Sequence, residues 1–364
     1  MSIKVLKPGM LSTFQDLGRH GSQHLGIPVS GAMDAVAHRL ANLLVGNETD
    51  DATLEITLTG PLLCFESACC IAITGADLGP TLNGKPLCLN RPVAVRAGDL
   101  LAFGARSFGT RAYLAVRGGC RLDGMMGSDS TYLRSGFGGY KGRALGKGDS
   151  IALRRPARLG DAAMQALHDE LWDLRIYLPA KLGIAAARPP SAATATEGTL
   201  LGPATPAEDK TMARRSVRVL EGSQWDAFTE ASRAAFLSET FRISPQSERM
   251  GYRLKGPVLS MTEPRQQLSE AICFGTIQVP AGGDPIVLMA DRQTTGGYPK
   301  LAQVAQVDLP VLAQLGPGDT VSFETIALAD AQRLDQQREQ AFARLRQSLQ
   351  PLRDLYERHL KDIR

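Results

Sequence analysis

The sequence predicts a mainly β protein built from two related β-barrels, with a few short helices and an amphipathic helix at the C-terminus. Glycine (37 residues) and proline (21) punctuate short apolar runs along a chain of 364 residues. In Leu54, Ile56 and Leu58 the apolar residues recur with period two, which is typical of a strand with one buried face. The length exceeds the usual size of one hydrophobic core, so two domains are expected.

The predicted strands are short and begin at a recurring turn. Apolar runs occupy residues 54–58, 93–95, 113–116 and 286–289. A Gly-Asp pair opens a strand at residues 98–99, 148–149 and 318–319. Glycine permits the tight turn and aspartate can cap it.

Two longer blocks resemble each other and suggest that one barrel repeats. Each has an apolar strand, a loop with an aspartate, further apolar residues and then a Gly-Asp turn. The aspartates are Asp77 in GADLGP and Asp291 in ADRQTTGG. The distance from this aspartate to the turn is 21 residues in one block and 27 in the other.

Helices are fewer. Residues 35–45 have an apolar side, follow Asp34 as a candidate N-cap and precede Gly46 as a stop signal. A second helix is predicted near residues 224–237. From residue 329 to 364 apolar residues recur every three or four positions, which predicts an amphipathic helix that Pro351 breaks or kinks.

A segment rich in Ala, Pro and Thr separates the two predicted barrels. Such a composition buries little surface and is typical of a linker or a long surface loop. We therefore predict a first domain at 1–183, a linker at 184–215, a second domain at 216–328 and a C-terminal helix at 329–364.

The composition argues against several classes of protein. The 41 basic and 37 acidic residues nearly cancel, which does not favour a nucleic-acid surface. Six cysteines without a Cys-x-x-Cys pair, and only five histidines, argue against a zinc site. The N-terminus lacks the apolar core of a signal peptide and no apolar stretch is long enough for a membrane span, so a cytoplasmic protein is expected.

The N-terminal run STFQDLGRHGSQHLGIPVSGAMD is a first candidate for binding. It places Gln15, Asp16 and Arg19 among glycines whose backbone can approach a ligand closely. The alternative is structural, since Asp16 and Arg19 could pair locally while Asp34 caps its helix.

The block GSDSTYLRSGFGGYKGRALGKGD invites comparison with a phosphate loop. The Walker pattern fails, because Lys141 stands where the first glycine is needed and Lys147 is followed by Gly148. The block remains either a glycine-rich loop that binds an anion or a hairpin. No Gly-x-Ser-x-Gly elbow occurs, so a serine hydrolase is not indicated.

The densest polar segment is DRQTTGGYPK, residues 291–300, which directly follows an apolar strand. Arg292 offers a planar fork for a carboxylate or phosphate, and Lys300 offers a point charge. Thr294 and Thr295 could orient a small polar substrate. A simple surface turn rarely carries so many different hydrogen-bonding groups, so function is favoured over scaffold here.

The chain resembles the KipA family, whose members are also described as the C subunit of 5-oxoprolinase, as the second subunit of allophanate hydrolase and as biotin-dependent carboxyltransferases. The matching segments are STFQDLGRHG, GIPVSGAMD, ANLLVGN with LEITLTGP, GADLGPTLNG, RVLEGSQWDAF, SERMGYRLKGP, and FGTIQVPAGGDPIVLMADRQTTGGYPK with VDLPVLAQLGPGD. Together they cover roughly residues 3–324. Residues 161–172, the linker and the tail after residue 324 match no family segment.

This resemblance implies cyclophilin-like β-barrels and a partner of the KipI type, which corresponds to the B subunit of 5-oxoprolinase. Together with a third, LamB/YcsF-like partner, the A subunit, such proteins open 5-oxoproline to glutamate at the expense of ATP. In urea carboxylase systems the same module moves a carboxyl group from biotin to urea. This chain has no Met-Lys-Met biotin-attachment sequence, so biotin would be carried on another chain, and ATP could be bound by a partner.

The leading hypothesis is therefore a component of an ATP-dependent 5-oxoprolinase complex. The alternatives are a carboxyltransferase component and a non-enzymatic regulator that binds a KipI-type kinase inhibitor. The candidate catalytic residues are Asp16, Asp291 and Lys300. The candidate substrate-binding residues are Gln15, Arg19, Arg292, Gln293, Thr294, Thr295 and Tyr298.

Overall fold

The computed structural model describes residues 1–155, 161–173, 216–263 and 267–359, so the predicted linker at 184–215 lies outside the described residues. The chain divides into two compact units. Unit 1 comprises residues 1–17, 35–207 and 339–364, and unit 2 comprises residues 18–34 and 208–338. The predicted domain bounds stay a prediction. Each unit nevertheless combines segments that are far apart in the sequence.

Unit 1 contains two antiparallel sheets and helices α1 (Ala35–Leu44) and α2 (Asp161–Asp173). Its strands are β1 (Ser2–Lys7), β2 (Leu11–Gln15), β3 (Thr53–Thr57), β4 (Leu62–Phe65), β5 (Cys69–Asp77), β6 (Thr81–Leu82), β7 (Lys85–Pro86), β8 (Pro92–Val95), β9 (Leu100–Ala102), β10 (Phe108–Val116) and β11 (Ser150–Ala152). The sheet orders are β11-β1-β4-β9-β6-β7 and β2-β3-β10-β5-β8. Apolar side chains from both sheets, such as Val5, Phe65, Ile56 and Leu114, form one core.

Unit 2 contains a closed seven-stranded barrel. The strands and helices of unit 2 up to residue 325 are β12 (Ser216–Glu221), α3 (Glu230–Ser238), β13 (Phe241–Ile243), β14 (Gly251–Lys255), β15 (Glu270–Ala271), β16 (Thr276–Gln278), β17 (Ile286–Leu288), β18 (Thr295–Gly296), β19 (Lys300–Val304), α4 (Leu309–Ala313) and β20 (Thr320–Thr325). The barrel order is β12-β19-β16-β17-β14-β13-β20, and parallel pairing of β12 with β20 closes it. Strands β15 and β18 form a separate two-stranded ribbon. The core includes Phe236 stacked on Phe323, with ring centroids 4.6 Å apart.

Two further helices follow β20, α5 (Leu328–Ser348) and α6 (Gln350–His359). The predicted break occurs just before Pro351, which lies in the first turn of α6, where a missing N–H costs little. The buried residues of α6 are Leu352, Leu355 and Tyr356. This matches the amphipathic pattern. Among the described helices none is long and apolar enough to cross a membrane.

The mainly β class with a barrel and a few short helices is confirmed. Helix α1 ends one residue short of the predicted Val45. The helix predicted near residues 224–237 begins later than expected, because Thr229 caps α3 by accepting a hydrogen bond from the Ser232 amide. Residues 225–227 form a separate 3₁₀ turn, and Phe228 is extended between the two.

The three Gly-Asp turns share one geometry. In each, the glycine has φ near +90° and the aspartate side chain accepts from the amide three residues before it. The N···O distances are 2.7 Å at Asp99, 2.6 Å at Asp149 and 2.8 Å at Asp319. The predicted capping role of these aspartates is confirmed.

Candidate functional site

The segment 291–300 leaves the barrel after β17 and returns to it at β19. Met289 and Ala290 are fully buried, which anchors the start of the loop. Asp291 and Arg292 are also buried, whereas Gln293, Thr295 and Tyr298 are exposed and Thr294 is half-buried. The loop therefore turns two charged side chains inward and presents polar side chains to solvent.

Asp291 is held by an ion pair within unit 2. Arg249 donates from Nε to Asp291 Oδ2 at 2.8 Å and from its terminal nitrogen to Oδ1 at 3.0 Å. The two side chains are only 5% and 6% exposed, so the pair is shielded from water. Because both carboxylate oxygens accept from one guanidinium, proton transfer by Asp291 would require this pair to open.

The same arginine connects the loop to the N-terminal glycine-rich segment. Arg249 also donates to the Gly31 carbonyl at 2.7 Å. Nearby in sequence, Asp34 accepts from Gln314 at 2.8 Å and Met33 is buried in the core of unit 2. The part of the predicted N-terminal site around Gly31 and Asp34 therefore lies in unit 2, as residues 291–300 do. Its candidate Arg19 is fully buried in this unit.

Lys300 is neutralised by a neighbouring carboxylate. Its Nζ donates to Glu270 Oε2 at 2.7 Å and to the Ala271 carbonyl at 3.0 Å. The hydrogen bond from Lys300 lowers the pKa of Glu270 below its usual value. The Lys300 amide also donates to Gln224 at 2.9 Å, which fixes the start of β19.

Arg292 lies in a different environment. Only 8% of its surface is exposed, and no carboxylate of the described residues lies within salt-bridge distance of it. Its Nε approaches the Ile272 carbonyl at 3.5 Å, and its guanidinium carbon lies 5.9 Å from the centroid of the Phe274 ring. Burial lowers the pKa of Arg292, although an arginine still keeps its charge at neutral pH.

The remaining candidates, Gln15 and Asp16, lie in unit 1. Asp16 accepts from Ser128 Oγ at 2.8 Å, Ser130 Oγ at 2.5 Å and the Asp129 amide at 2.6 Å. Gln15 donates to the Thr131 carbonyl at 3.2 Å. These contacts give Asp16 a role in fastening the glycine-rich block to β2.

For that glycine-rich block the structure favours the hairpin interpretation over the anion loop. Bridges join Met125 to Ser128 and Tyr132 to Phe137, as in short hairpins. The serine hydroxyls already donate to Asp16, and burial together with the Asp16 charge raises the pKa of Asp129. A triphosphate does not fit this loop, because its serine hydroxyls already donate to the Asp16 carboxylate. The loop also carries a second carboxylate, that of Asp129.

Sequence reasoning missed a buried polar layer in unit 1. On the sheet face that α1 covers, Tyr113 donates to Glu55 at 2.8 Å and His38 bonds to Thr53 at 2.8 Å. Arg111 Nε lies 3.8 Å from Glu55. The available signal was a charged residue inside each of two apolar strands, LEITL and TRAYLAV. Burial lowers the pKa of His38 to about 4.

Sequence reasoning also missed the role of Arg249, although its segment SERMGYRLKGP is one of the family matches. Nothing local indicates that this arginine pairs with an aspartate 42 residues later. Within the described ranges, no group of three or more His, Cys, Asp or Glu side chains could hold a metal ion.

Comparisons with known proteins agree on one family. The family model described as "Carboxyltransferase domain, subdomain A and B" matches residues 25–325. The C subunit of 5-oxoprolinase from Escherichia coli (strain K12) is 35% identical over 343 residues, covering 94% of this chain and 97% of that protein. Urea amidolyase of Lachancea kluyveri is 32% identical over 354 residues, with 94% of this chain but 18% of that protein covered.

Among solved structures, Kluyveromyces lactis urea carboxylase resembles this chain with a TM-score of 0.79 and 28% identity. The match covers 94% of this chain and 29% of that one. The chain thus resembles one region of the much larger urea amidolyase and urea carboxylase. It resembles nearly the whole length of the C subunit of 5-oxoprolinase.

Proposed function

This chain belongs to the carboxyltransferase domain family of subdomains A and B, and from that premise we propose that it is one component of an ATP-dependent 5-oxoprolinase complex. The observation that carries the proposal is the end-to-end match with the C subunit of 5-oxoprolinase, which covers 94% of this chain and 97% of the relative. A relative named as one subunit of an enzyme implies partner subunits. We identify these with a KipI-type protein and a LamB/YcsF-like protein.

In this proposal the reaction adds water to the lactam of 5-oxoproline and gives glutamate, coupled to cleavage of ATP to ADP and phosphate. Opening an amide develops negative charge on its carbonyl oxygen, which fixed cations and N–H donors stabilise. The loop 291–300 supplies Arg292 for an anionic group. Its exposed Gln293, Thr295 and Tyr298, with half-buried Thr294, supply neutral hydrogen bonds for the ring amide.

Three residues are proposed for proton transfer, with Lys300 favoured over Asp16 and Asp291. Lys300 is half-buried and its carboxylate neighbour Glu270 is exposed, so the pair lies at the surface of unit 2. Asp16 and Asp291 accept two or more hydrogen bonds each and are better suited to hold loops in place. ATP is assigned to a partner protein, because the glycine-rich block of this chain does not fit a polyphosphate.

The test is reconstitution with the purified KipI-type and LamB/YcsF-like partners. We expect ATP-dependent glutamate formation from 5-oxoproline when this chain is present. The rate should fall at least about tenfold when the chain is omitted. It should fall as much when the chain carries Arg292→Gln, given the energy of a charged hydrogen bond. An Arg242→Gln variant, changed at an exposed arginine of β13, should behave as the wild type. Glutamate formation that is unaffected by omitting this chain would refute the proposal.

The second candidate is the carboxyltransferase component of a biotin-dependent urea carboxylase. The family description and the urea carboxylase structure at a TM-score of 0.79 favour it. Biotin would be attached to another chain. Transfer of labelled carboxylate from a biotinylated carrier to urea, dependent on this chain, would support this candidate. Genes for a biotin carboxylase beside this one would favour it over 5-oxoprolinase.

A further inference from the structure

The charges around residues 291–300 do not balance. Three cationic side chains lie on or beside the loop, namely Arg249, Arg292 and Lys300. Asp291 pairs with Arg249 and Glu270 pairs with Lys300. Arg292 forms no such pair with a described residue. One positive charge is therefore left over, and it belongs to a residue of which only 8% is exposed.

The guanidinium of Arg292 has donors to spare. Its Nε approaches the Ile272 carbonyl at the long distance of 3.5 Å. Its two terminal nitrogens donate to no described residue. Neither nitrogen is completely shielded from solvent. A cation that is buried to this extent loses much of its hydration, and this loss is offset only when an acceptor binds.

We propose that Arg292 is the binding site for the carboxylate of 5-oxoproline, an inference that rests on the proposed function and specifies one contact in it. A guanidinium presents two parallel N–H donors that match the two oxygens of a carboxylate. A single leftover charge suits a monoanion. The other cations beside the loop, Arg249 and Lys300, are already neutralised and would add little to the binding of a more highly charged group.

The ribbon of β15 and β18 sets the position of this site. Lys300 binds Glu270 and the Ala271 carbonyl, and the next carbonyl, that of Ile272, accepts from Arg292. Consecutive backbone groups thus receive both cations. The Phe274 ring lies on the same segment and gives the guanidinium an apolar neighbour that favours a planar, weakly hydrated cation.

Cys273 provides a probe of this site without catalysis. It lies between Ile272 and Phe274, is exposed, and is close enough to Arg292 for the two groups to interact electrostatically. An alkylating reagent forms a C–S bond with the cysteine thiolate and releases iodide. Iodoacetate carries a carboxylate and iodoacetamide does not, so the ratio of their rates at Cys273 reports attraction of a carboxylate.

The experiment measures this ratio on the full chain by mass spectrometry. We expect Arg292→Gln to lower the iodoacetate to iodoacetamide ratio several-fold, and Arg242→Gln to leave it unchanged. Arg292→Lys should keep much of the ratio, because the charge remains, but should lose the paired donors. An unchanged thermal midpoint of the Arg292→Gln protein confirms that it is folded, since the substitution removes an unpaired cation.

The second arm uses protection of Cys273 from iodoacetamide. L-5-Oxoproline should slow labelling of the wild type, with an apparent Kd at least about tenfold weaker in Arg292→Lys and Arg292→Gln. The neutral lactam 2-pyrrolidinone should not protect at the same concentration. Equal protection by 2-pyrrolidinone, stronger protection by inorganic phosphate, or a labelling ratio that is the same in Arg292→Gln would each overturn the proposal.

This test separates the site from the reaction. Labelling needs neither the partner proteins nor ATP. Protection by L-5-oxoproline together with a negative reconstitution assay would retain the carboxylate site and reject the proposed role in the complex. Active reconstitution without Arg292-dependent protection would do the reverse.

Discussion

Arg249 has a part in the fold that a reading of the chain does not reveal. It holds Asp291 with two hydrogen bonds and the Gly31 carbonyl with a third, so it joins two segments that the sequence marked independently as functional. The polar density of residues 291–300 was visible because it is local. The identity of the partner was not visible, because charge pairing between residues 42 positions apart leaves no periodic signal.

At the same scale, His38 should make the protein sensitive to mild acid. Its pKa is about 4 in the fold, mainly because of burial, against an ordinary value of 6.5. The nearby carboxylates Asp16 and Glu55 act in the opposite direction, and Arg39 adds to the lowering. The unfolded chain therefore binds a proton at His38 that the folded chain does not. The contribution of neutral His38 to the free energy of unfolding is complete above pH 6.5. It is lost as the pH drops toward 4, by roughly 3 kcal/mol in all.

Urea unfolding at pH 7.0, 6.0 and 5.0 checks this expectation. The free energy of unfolding of the wild type should decrease across this range more steeply than that of His38→Gln, which has no imidazole to protonate. The exposed His24→Gln variant is the control and should keep the steep dependence. Identical pH dependence in wild type and His38→Gln would show that the fold does not lower the pKa of His38, contrary to our expectation.

At the scale of elements, local devices were predictable and tertiary ones were not. The Gly-Asp turns follow from glycine at positive φ and an aspartate that caps the amide three residues earlier, all within one tetrapeptide. The helix predicted from near residue 224 begins only after Thr229. The Thr229 hydroxyl caps the helix there, and helix propensity alone does not identify this start.

Helix α6 illustrates how one hydroxyl fixes an element. Tyr356 is fully buried, and its hydroxyl donates to the Leu44 carbonyl of α1 at 2.8 Å while lying 3.3 Å from Cys70 Sγ. Tyr356→Phe leaves that carbonyl without its donor. We expect a loss of about 1–2 kcal/mol in the free energy of unfolding, measured in urea.

The neighbouring exposed Glu357→Gln is the matched control for Tyr356→Phe and should stay within about 0.5 kcal/mol of the wild type. A more disruptive change, Tyr356→Ala, should cost about 3–5 kcal/mol, because it also removes the ring. If Tyr356→Phe proved as stable as the wild type, α6 would be held by its apolar face alone.

At the scale of the whole molecule, the six cysteines are unpaired and report on separate parts of the fold. Cys273 is exposed, whereas Cys69, Cys70 and Cys120 are buried in unit 1. Burial raises the pKa of Cys70 to about 11 and that of Cys120 to about 12. We expect a neutral thiol reagent to modify Cys273 first and these two thiols only when unit 1 unfolds.

Pulse labelling along a urea series, read by mass spectrometry, tests this order. Modification of Cys70 and Cys120 should rise together at the unfolding transition of unit 1, while Cys273 reacts at every urea concentration. A reducing agent should not shift the transition. Rapid modification of Cys120 in native buffer would contradict its placement in the core.

The sequence indicated two domains but could not assign every residue to one. Residues 18–34 precede most of unit 1 in the chain and yet belong to unit 2, and residues 339–364 follow unit 2 and belong to unit 1. Composition marks a linker, because linkers are locally distinct. Membership in a core depends on distant contacts, such as Met33 among the barrel side chains, and no local pattern specifies these.

That placement of residues 18–34 has a consequence during protein synthesis. Gly31 and Asp34 emerge from the ribosome before their partners Arg249 and Gln314, which follow 218 and 280 residues later. At usual rates of translation this delay is roughly ten seconds to a minute. Throughout it the segment cannot dock, and Met33 remains exposed apolar surface. Residues 18–34 are thus synthesised long before they can dock in unit 2, and a ribosome that stalls before Arg249 leaves them available to chaperones.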